Sequence, residues 1–315
     1  MTELPWDRVG AAALGLAVDR ACAEVVLSLR DIGLRSILLK GPSFDAWLYD
    51  LGEPRLYSDI DLLIHARDER RVSEALETLG YRLRSEREPE ANVDHAAVWV
   101  RPADRMHVDL HRTLSGIGDG GADPWEVLAA DTDSMQVGGA EVEVLSEPGR
   151  ALHVALHAAL PGRGTEKTLI DLSRALERLP RATWEGAAAL ARQLGAEAAF
   201  AAGLGRLPRG VELAGTLDLP RERSIDEALL AGSAPTAAWT LERLSRTRGV
   251  RGKLAIVGSR LFPKPDFMRV WYPVARRGRA GLGLAYLRRL VWLVTTAPRA
   301  VRVWRRARRE SQGSA

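Results

Sequence analysis

Ser58-Asp59-Ile60-Asp61-Leu62-Leu63-Ile64 is a short apolar run interrupted by two carboxylates at alternate positions. A strand turns side chains two apart to the same face, so Asp59 and Asp61 project together while Ile60 goes to the opposite, buried face. Two like charges forced that close repel unless a cation lies between them. Hard oxygen ligands suit magnesium, an ion that also favours triphosphate oxygens. Met106-His-Val-Asp-Leu-His111 alternates in the same way and offers a third carboxylate, Asp109. If the two strands are neighbours, the three acids complete a two-metal clamp. Alone, a D-x-D pair is most often a solvated strand end, and its surroundings decide what it means.

Upstream, Asp7 to Arg30 carries Leu14, Val18, Cys22, Val25 and Leu29 on one helical stripe, and Gly33 stops it. Arg35 to Lys40 reads as a buried strand, Phe44 to Leu51 as a helix and Gly52-Glu-Pro54 as a turn. Leu38-Leu-Lys-Gly-Pro-Ser43 therefore sets a glycine turn between a strand and a helix N-terminus, where backbone N–H groups and the helix dipole favour a triphosphate. Lys40 and Arg55 add cationic contacts to phosphate, the first as a point charge and the second as a fork.

Downstream, a helix is predicted over Arg67 to Leu79. Strand candidates follow at Tyr81 to Arg84, His95 to Val100 and Met106 to His111. Asp123 to Glu147 reads as a short helix and a hairpin turning at Gly138-Gly139. Beyond Pro148 the signals are helical: Ala151 to Leu160, Lys167 to Leu179, Trp184 to Leu204, Ser224 to Leu230 and Pro235 to Arg246. Arg206 to Arg223, rich in Gly, Pro and Leu, reads as a connection. The expected fold class is α+β: a mixed sheet with helices over residues 1–147, a mainly helical domain over 148–268 and a basic amphipathic C-terminal segment over 269–315.

Composition bounds the rest. The 315 residues are 46% hydrophobic and 27% charged, enough to bury a sizeable core and incompatible with overall disorder. Cys22 is the only cysteine, which excludes an internal disulfide and fits a reducing compartment. Residues Met1 to Arg8 carry no basic region followed by an apolar run, so no signal peptide is read and a cytoplasmic location is expected. Leu290 to Thr296, flanked by arginines and Pro298, is too short to span a bilayer. The net charge of +4 is unevenly placed, with no acidic residue between Arg269 and Arg309. That stretch admits three readings: an amphipathic helix packed on the helical domain, a contact to nucleic-acid phosphates, or an anionic membrane surface. Packing is favoured, because charged helix faces are usually just solvated.

Together these residues resemble the nucleotidyltransferase-fold superfamily, which includes DNA polymerase beta-like enzymes: a glycine-containing strand-to-helix turn, an acidic pair on the next strand and a third acid on a later one. Within it they are similar to the uncharacterised nucleotidyltransferase family. The matching segments are Leu39-Lys-Gly41, Arg55, Asp59-Ile-Asp-Leu-Leu63 and Val108-Asp-Leu-His111. They continue through His153-Val-Ala-Leu-His157, Leu261-Phe-Pro263 and Met268-Arg-Val-Trp-Tyr-Pro273. The long gap between Gly41 and Asp59 also resembles toxin-type members. Two departures from the superfamily pattern stand out: that gap, and Pro42 in place of the usual second small residue after Gly41, which has no N–H to give a phosphate, with Ser43 as its substitute.

The resemblance implies a magnesium-dependent nucleotidyltransferase. Asp59, Asp61 and Asp109 would be its catalytic and metal-binding carboxylates, holding two magnesium ions. Lys40, Gly41, Ser43, Arg55, Ser58 and His111 would contact the nucleoside triphosphate, ATP foremost. The acceptor hydroxyl stays open between RNA, protein, peptide and small molecule. The rival reading is a nucleotide-binding module that has lost transfer, or an RNA- or membrane-associated regulator of the same fold with an anionic partner at the basic C-terminus. His107, Asp109 and His111 share a strand face, but the two-metal pattern already accounts for Asp109. His153 and His157, at i and i+4 without a following glutamate, read as a cleft-facing or packed helix. Lys167 and Asp171 read as a surface ion pair.

Overall fold

The computed structural model describes residues 5–312 apart from 51, 54, 85–95, 118–120, 161–164, 221–224, 226–228, 230–235, 248, 264, 266–267 and 269–271. They fall into two compact units, the first ending at Arg221 and the second beginning at Glu222.

In the first unit, α1 (Pro5–Asp31), β1 (Ile37–Leu38), α2 (Pro42–Leu48), β2 (Asp59–Leu63), α3 (Glu69–Thr78), β3 (Arg82–Leu83), β4 (Ala96–Val100) and β5 (His107–His111) lead to α4 (Pro124–Leu128) and the hairpin β6 (Thr132–Val137) to β7 (Ala140–Leu145). The strands form one mixed sheet in the order β3-β4-β5-β2-β1-β7-β6. β2 runs parallel to β5 and antiparallel to β1, and β1 runs parallel to β7.

The alternation of β2 and β5 decides how this sheet is covered. Ile60, Leu62, Val108 and Leu110 turn to one face, where they pack with Val18, Cys22, Val25 and Leu29 of α1 and with Val72 and Leu76 of α3. Leu63 turns to the other face and joins Ile37, Leu39, Phe44 and the helices that follow the hairpin. Those helices are α5 (Glu147–Ala159), α6 (Thr165–Arg178), α7 (Arg181–Gln193), α8 (Glu197–Leu204) and α9 (Pro208–Thr216). Helix α5 is their hub, with Ala151, Leu152, Val154, Ala155, Leu156 and Ala158 all buried. Gly203 lets α8 close onto α5, since a Cβ there would lie 1.9 Å from the Ala155 carbonyl oxygen.

Most of the expected helices and strands are present among the described residues, with differences that have local causes. Trp184 to Leu204 is two helices rather than one, because Gly195 takes φ 61° and breaks the run. Arg206 to Arg223 is not a mere connection: Pro208, pre-set in the first turn, starts α9. Of the α1 stripe, Leu14 is exposed while the other four are buried. The Arg35 to Lys40 strand pairs only over Ile37–Leu38. His95, Pro54 and most of Ser224 to Leu230 lie outside the described residues.

The second unit contains α10 (Thr236–Arg246), α11 (Val250–Leu261), a 3-10 turn (Pro273–Arg276) and α12 (Gly278–Gln312), a 35-residue helix that includes Pro298. Its cores are small: Leu229, Ala238, Ala300 and Ala307 form one, and Met268, Ala275 and Ala285 another. No helix among the described residues is long and apolar enough to cross a membrane.

Candidate active site

The parallel pairing of β2 with β5 sets Asp61 directly beside Asp109, Asp59 beside His107 and Leu63 beside His111. These residues share the sheet face that turns toward α5. Asp61 is buried at the centre. Its Oδ1 accepts a hydrogen bond from His111 Nε2 at 2.9 Å and lies 3.0 Å from Lys40 Nζ, while its Oδ2 is buried with no hydrogen-bond partner among the described residues. Burial alone would raise the Asp61 pKa, but Lys40 and His111 outweigh it and hold the carboxyl well below its usual range. Asp109 goes the other way: partial burial and the neighbouring Asp61 charge raise its pKa. Two carboxylates side by side have thus been driven apart in proton affinity, the pattern expected of paired acids with different tasks.

One ligand atom from each of Asp61, Asp109 and His111 lies within 4.8 Å of the others. The donor set fits a hard divalent cation, because Asp61 contributes a buried oxygen whose desolvation no protein donor offsets, with a second carboxylate beside it. Asp59 stands at the edge of the group, more exposed than Asp61 and 4.0 Å from Lys40 Nζ. Desolvation opposes the charge on Lys40, yet Asp61, Asp59 and Asp109 together keep its pKa above the ordinary value.

Lys40 leads into the turn at Gly41, whose φ of 68° and ψ of −118° make it a position for glycine, directly before Pro42 opens α2. Ser43 is fully buried and its Oγ has no partner among the described residues. Ser58, one residue ahead of β2, is exposed. Arg55 is placed differently from its expected phosphate contact. Its guanidinium is buried, with Nε and Nη2 donating to the two oxygens of Asp171 at 2.9 and 2.8 Å, and it lies over the Phe44 ring. Its backbone N–H donates to Asp45 Oδ1.

Asp171 corrects the surface-pair reading. It is wholly buried and also accepts from Tyr49 Oη at 2.7 Å, while Lys167 turns away to donate to the Leu56 carbonyl. The signal was present in the sequence, since Asp171 occupies the same helical face as Thr168, Leu172 and Ala175, and a charge on a buried face needs an internal partner. Burial, together with the Arg55 charge, brings the Lys167 pKa down to about 8.

Helix α5 supplies two imidazoles. His153 Nδ1 donates to the Leu39 carbonyl at 3.2 Å and its ring lies 5.5 Å from that of Phe44. Burial first, then Lys40 and His111, brings its pKa down to about 3. His157, 6.0 Å from the His153 ring, is likewise held neutral by burial and by Lys40, and its Nδ1 has no hydrogen-bond partner among the described residues. The α5 helix therefore faces the carboxylates and also packs. Asp61 Oδ2, Ser43 Oγ and His157 Nδ1 are buried polar atoms without hydrogen-bond partners among the described residues.

The family described as uncharacterised nucleotidyltransferase matches residues 7–208. No curated protein sequence matches the chain. Among solved structures, ANT(2″)-Ia in complex with adenylyl-2″-tobramycin is similar at 14% identity, over 53% of this chain and 93% of that one, with a TM-score of 0.38. The lincomycin-bound lincosamide antibiotic adenylyltransferase LnuA is similar at 14% identity, over 46% and 89%, with a TM-score of 0.31. An antigenic nucleotidyltransferase-like protein from Paracoccidioides brasiliensis is similar at 14% identity, over 59% and 92%, with a TM-score of 0.34. None of the three bears on what this chain acts upon.

Proposed function

The chain belongs to the uncharacterised nucleotidyltransferase family, and from that premise we propose that it transfers a nucleoside monophosphate from a triphosphate, ATP foremost, to the hydroxyl of an acceptor. The observation that carries this reading is the register of Asp61 beside Asp109 on adjacent parallel strands, with one buried Asp61 oxygen left for a ligand.

Asp59, Asp61 and Asp109 would hold magnesium, which when bound supplies positive charge to the triphosphate oxygens and lowers the pKa of a nearby hydroxyl. The protein's own groups do the rest. Asp109, whose pKa is raised by burial and by Asp61, takes the proton of the acceptor hydroxyl as that oxygen attacks the α-phosphorus and the bond to pyrophosphate breaks. Lys40 and His111 fix the Asp61 carboxylate from one side, so its free oxygen points in one direction. Gly41 and Ser43 border the space for the phosphates. Arg55 acts from behind them, tying the chain ahead of β2 to α6 through Asp171.

A second reading, nucleotide binding without transfer, is favoured by one feature. The Lys40 ammonium already neutralises part of the carboxylate cluster, and Pro42 withholds an N–H from the turn. One experiment separates the two. Purified protein is incubated with each α-labelled triphosphate, magnesium and cell extract, beside an Asp59→Ala/Asp61→Ala variant. Label entering RNA, protein or small molecules only with the intact carboxylates is the expected result and names the acceptor class. Equal labelling by the variant sinks the assignment. Magnesium-dependent nucleotide binding without label moves the reading to the binding module.

A further inference from the structure

The second unit pairs exposed aliphatic side chains with one-signed charge. Asp266 is the single acidic residue between Arg243 and Arg309, a stretch that contains both α11 and α12. On α12, Leu284, Leu287, Val291 and Val294 are 45, 58, 56 and 71% exposed. Their spacing of three, four and three residues aligns them on one face over roughly 15 Å of helix. Arg288 lies within that face, and the same line continues to Arg302 and Arg305, all three exposed. Helix α11 repeats the pattern on a smaller scale, with Val250 and Leu254 exposed one turn apart and Arg251 and Lys253 exposed beside them. Between α10, α11 and α12 opens a cavity of ≈ 220 Å³ walled mainly by Leu241, Val257, Leu261, Trp292, Leu293 and Val301.

A contiguous aliphatic stripe in water calls for an apolar phase, and the arginines around it call for anions. A second copy of the chain would cover the stripe but bring two basic faces together. Nucleic acid would satisfy the arginines but leave the leucines and valines unexplained, since phosphate contacts need only cations and polar groups. An anionic lipid surface meets both demands at once, with aliphatic side chains at the acyl boundary and arginines at the headgroup phosphates. No described helix can span a bilayer, so the contact lies in the plane of the interface.

We propose that the α11–α12 region docks on an anionic phospholipid surface, with Leu284, Leu287, Val291 and Val294 inserted at the interface and Arg288, Arg302 and Arg305 on the headgroups. This assignment is independent of the chemistry at Asp61 and Asp109.

The test is co-sedimentation of the full chain with vesicles of phosphatidylcholine alone or with about a third phosphatidylglycerol. Binding is expected only to the anionic vesicles. It should fall at least about tenfold in Leu287→Asp/Val291→Asp, and by a smaller factor in the milder Leu284→Ala/Val294→Ala, with helix content unchanged by circular dichroism. Absence of sedimentation with anionic vesicles overturns the proposal. So does binding that the aspartate pair leaves intact, which would reduce the contact to charge alone. A dimer in sedimentation velocity that the same pair dissolves, without vesicle binding, assigns the stripe to a second copy. Polyuridylate binding that survives the aspartate pair, again without vesicle binding, assigns the arginines to RNA.

Discussion

The two units handle charge in opposite ways. Around the candidate site, charges are buried and countered one by one: Lys40 against Asp61, Arg55 against Asp171, His153 kept neutral. In the second unit, arginines stand on the surface of α12 with almost no carboxylate in the surrounding sequence. A buried charge costs several kcal/mol unless its partner is in place, so each site residue is held by its neighbours and any single change is expensive. An exposed charge costs little to leave in water, which makes it available to a partner outside the chain. The substitutions below grade that contrast from the largest effect to the smallest.

Asp109→Asn should lower turnover by about a thousandfold or more while leaving most nucleotide binding, because it removes the proton acceptor and one metal ligand but keeps the shape. Single-turnover labelling beside an equilibrium nucleotide titration separates the two quantities. Turnover within about tenfold of the parent would take Asp109 out of the chemistry.

Arg55→Met or Asp171→Asn should each destabilise the first unit by about 3–5 kcal/mol, since either leaves an uncompensated buried group. Arg55→Met/Asp171→Leu should recover a good part of that loss in urea denaturation. If the double variant loses nucleotide binding although stability has returned, Arg55 has a phosphate contact in addition to its internal one. If binding returns with stability, its role is to hold α6 against the segment before β2.

The same pair shows where the sequence was legible. The alternation of residues 58–64 was enough to put Asp59 and Asp61 on one face opposite Ile60, because a two-residue period is a local property of the chain, whereas setting Asp109 beside Asp61 took the parallel pairing of β2 with β5. Nor could alternation say that Arg55 faces Asp171, since their partnership spans 116 positions and depends on how α6 packs. A periodic reading of α6 would have flagged Asp171 as a buried acid without naming its partner. Likewise the i, i+4 spacing of His153 and His157 gave a helix face, but only the packing of α5 on Leu39 and Phe44 shows that both rings stay neutral. Gly195 is a single glycine in an alanine-rich run, and helix propensity summed over that run does not show that its backbone takes a positive φ.

That neutrality makes a third expectation. With its folded pKa brought down to about 3, His153 stays unprotonated where the unfolded chain protonates it near 6.5. The unfolded state therefore binds the extra proton across that window. Stability is complete above the upper value and declines as pH falls toward the lower one, by ~1.4 kcal/mol per pH unit for one proton. His157 acts in the same direction, and Asp61 adds to it below the ordinary carboxylate range. Asp109, raised, opposes them at acid pH. His153→Gln keeps a donor for the Leu39 carbonyl and removes the titration, so urea denaturation between about pH 4.5 and 6.5 should show a slope shallower by close to one proton. An unchanged slope would mean that the imidazole is solvated and protonates normally.

The smallest effect is expected at Arg305. It is exposed on α12, with Arg302, Arg308 and Arg309 three or four positions away on the same face, all exposed. Like charges at that spacing repel, so Arg305→Gln should stabilise the helix slightly, by no more than about 0.5 kcal/mol at low ionic strength. Screening should remove most of the gain by about 1 M salt, where the Debye length of about 3 Å is shorter than the roughly 5–6 Å between residues on neighbouring turns. Thermal unfolding at two salt concentrations measures it, and a clear loss of stability would show that Arg305 has an internal partner like Arg55. The same substitution should weaken binding to anionic vesicles. A residue whose removal helps the fold and harms an interaction is placed for the interaction, the reverse of Arg55, whose guanidinium is buried against Asp171 inside the fold.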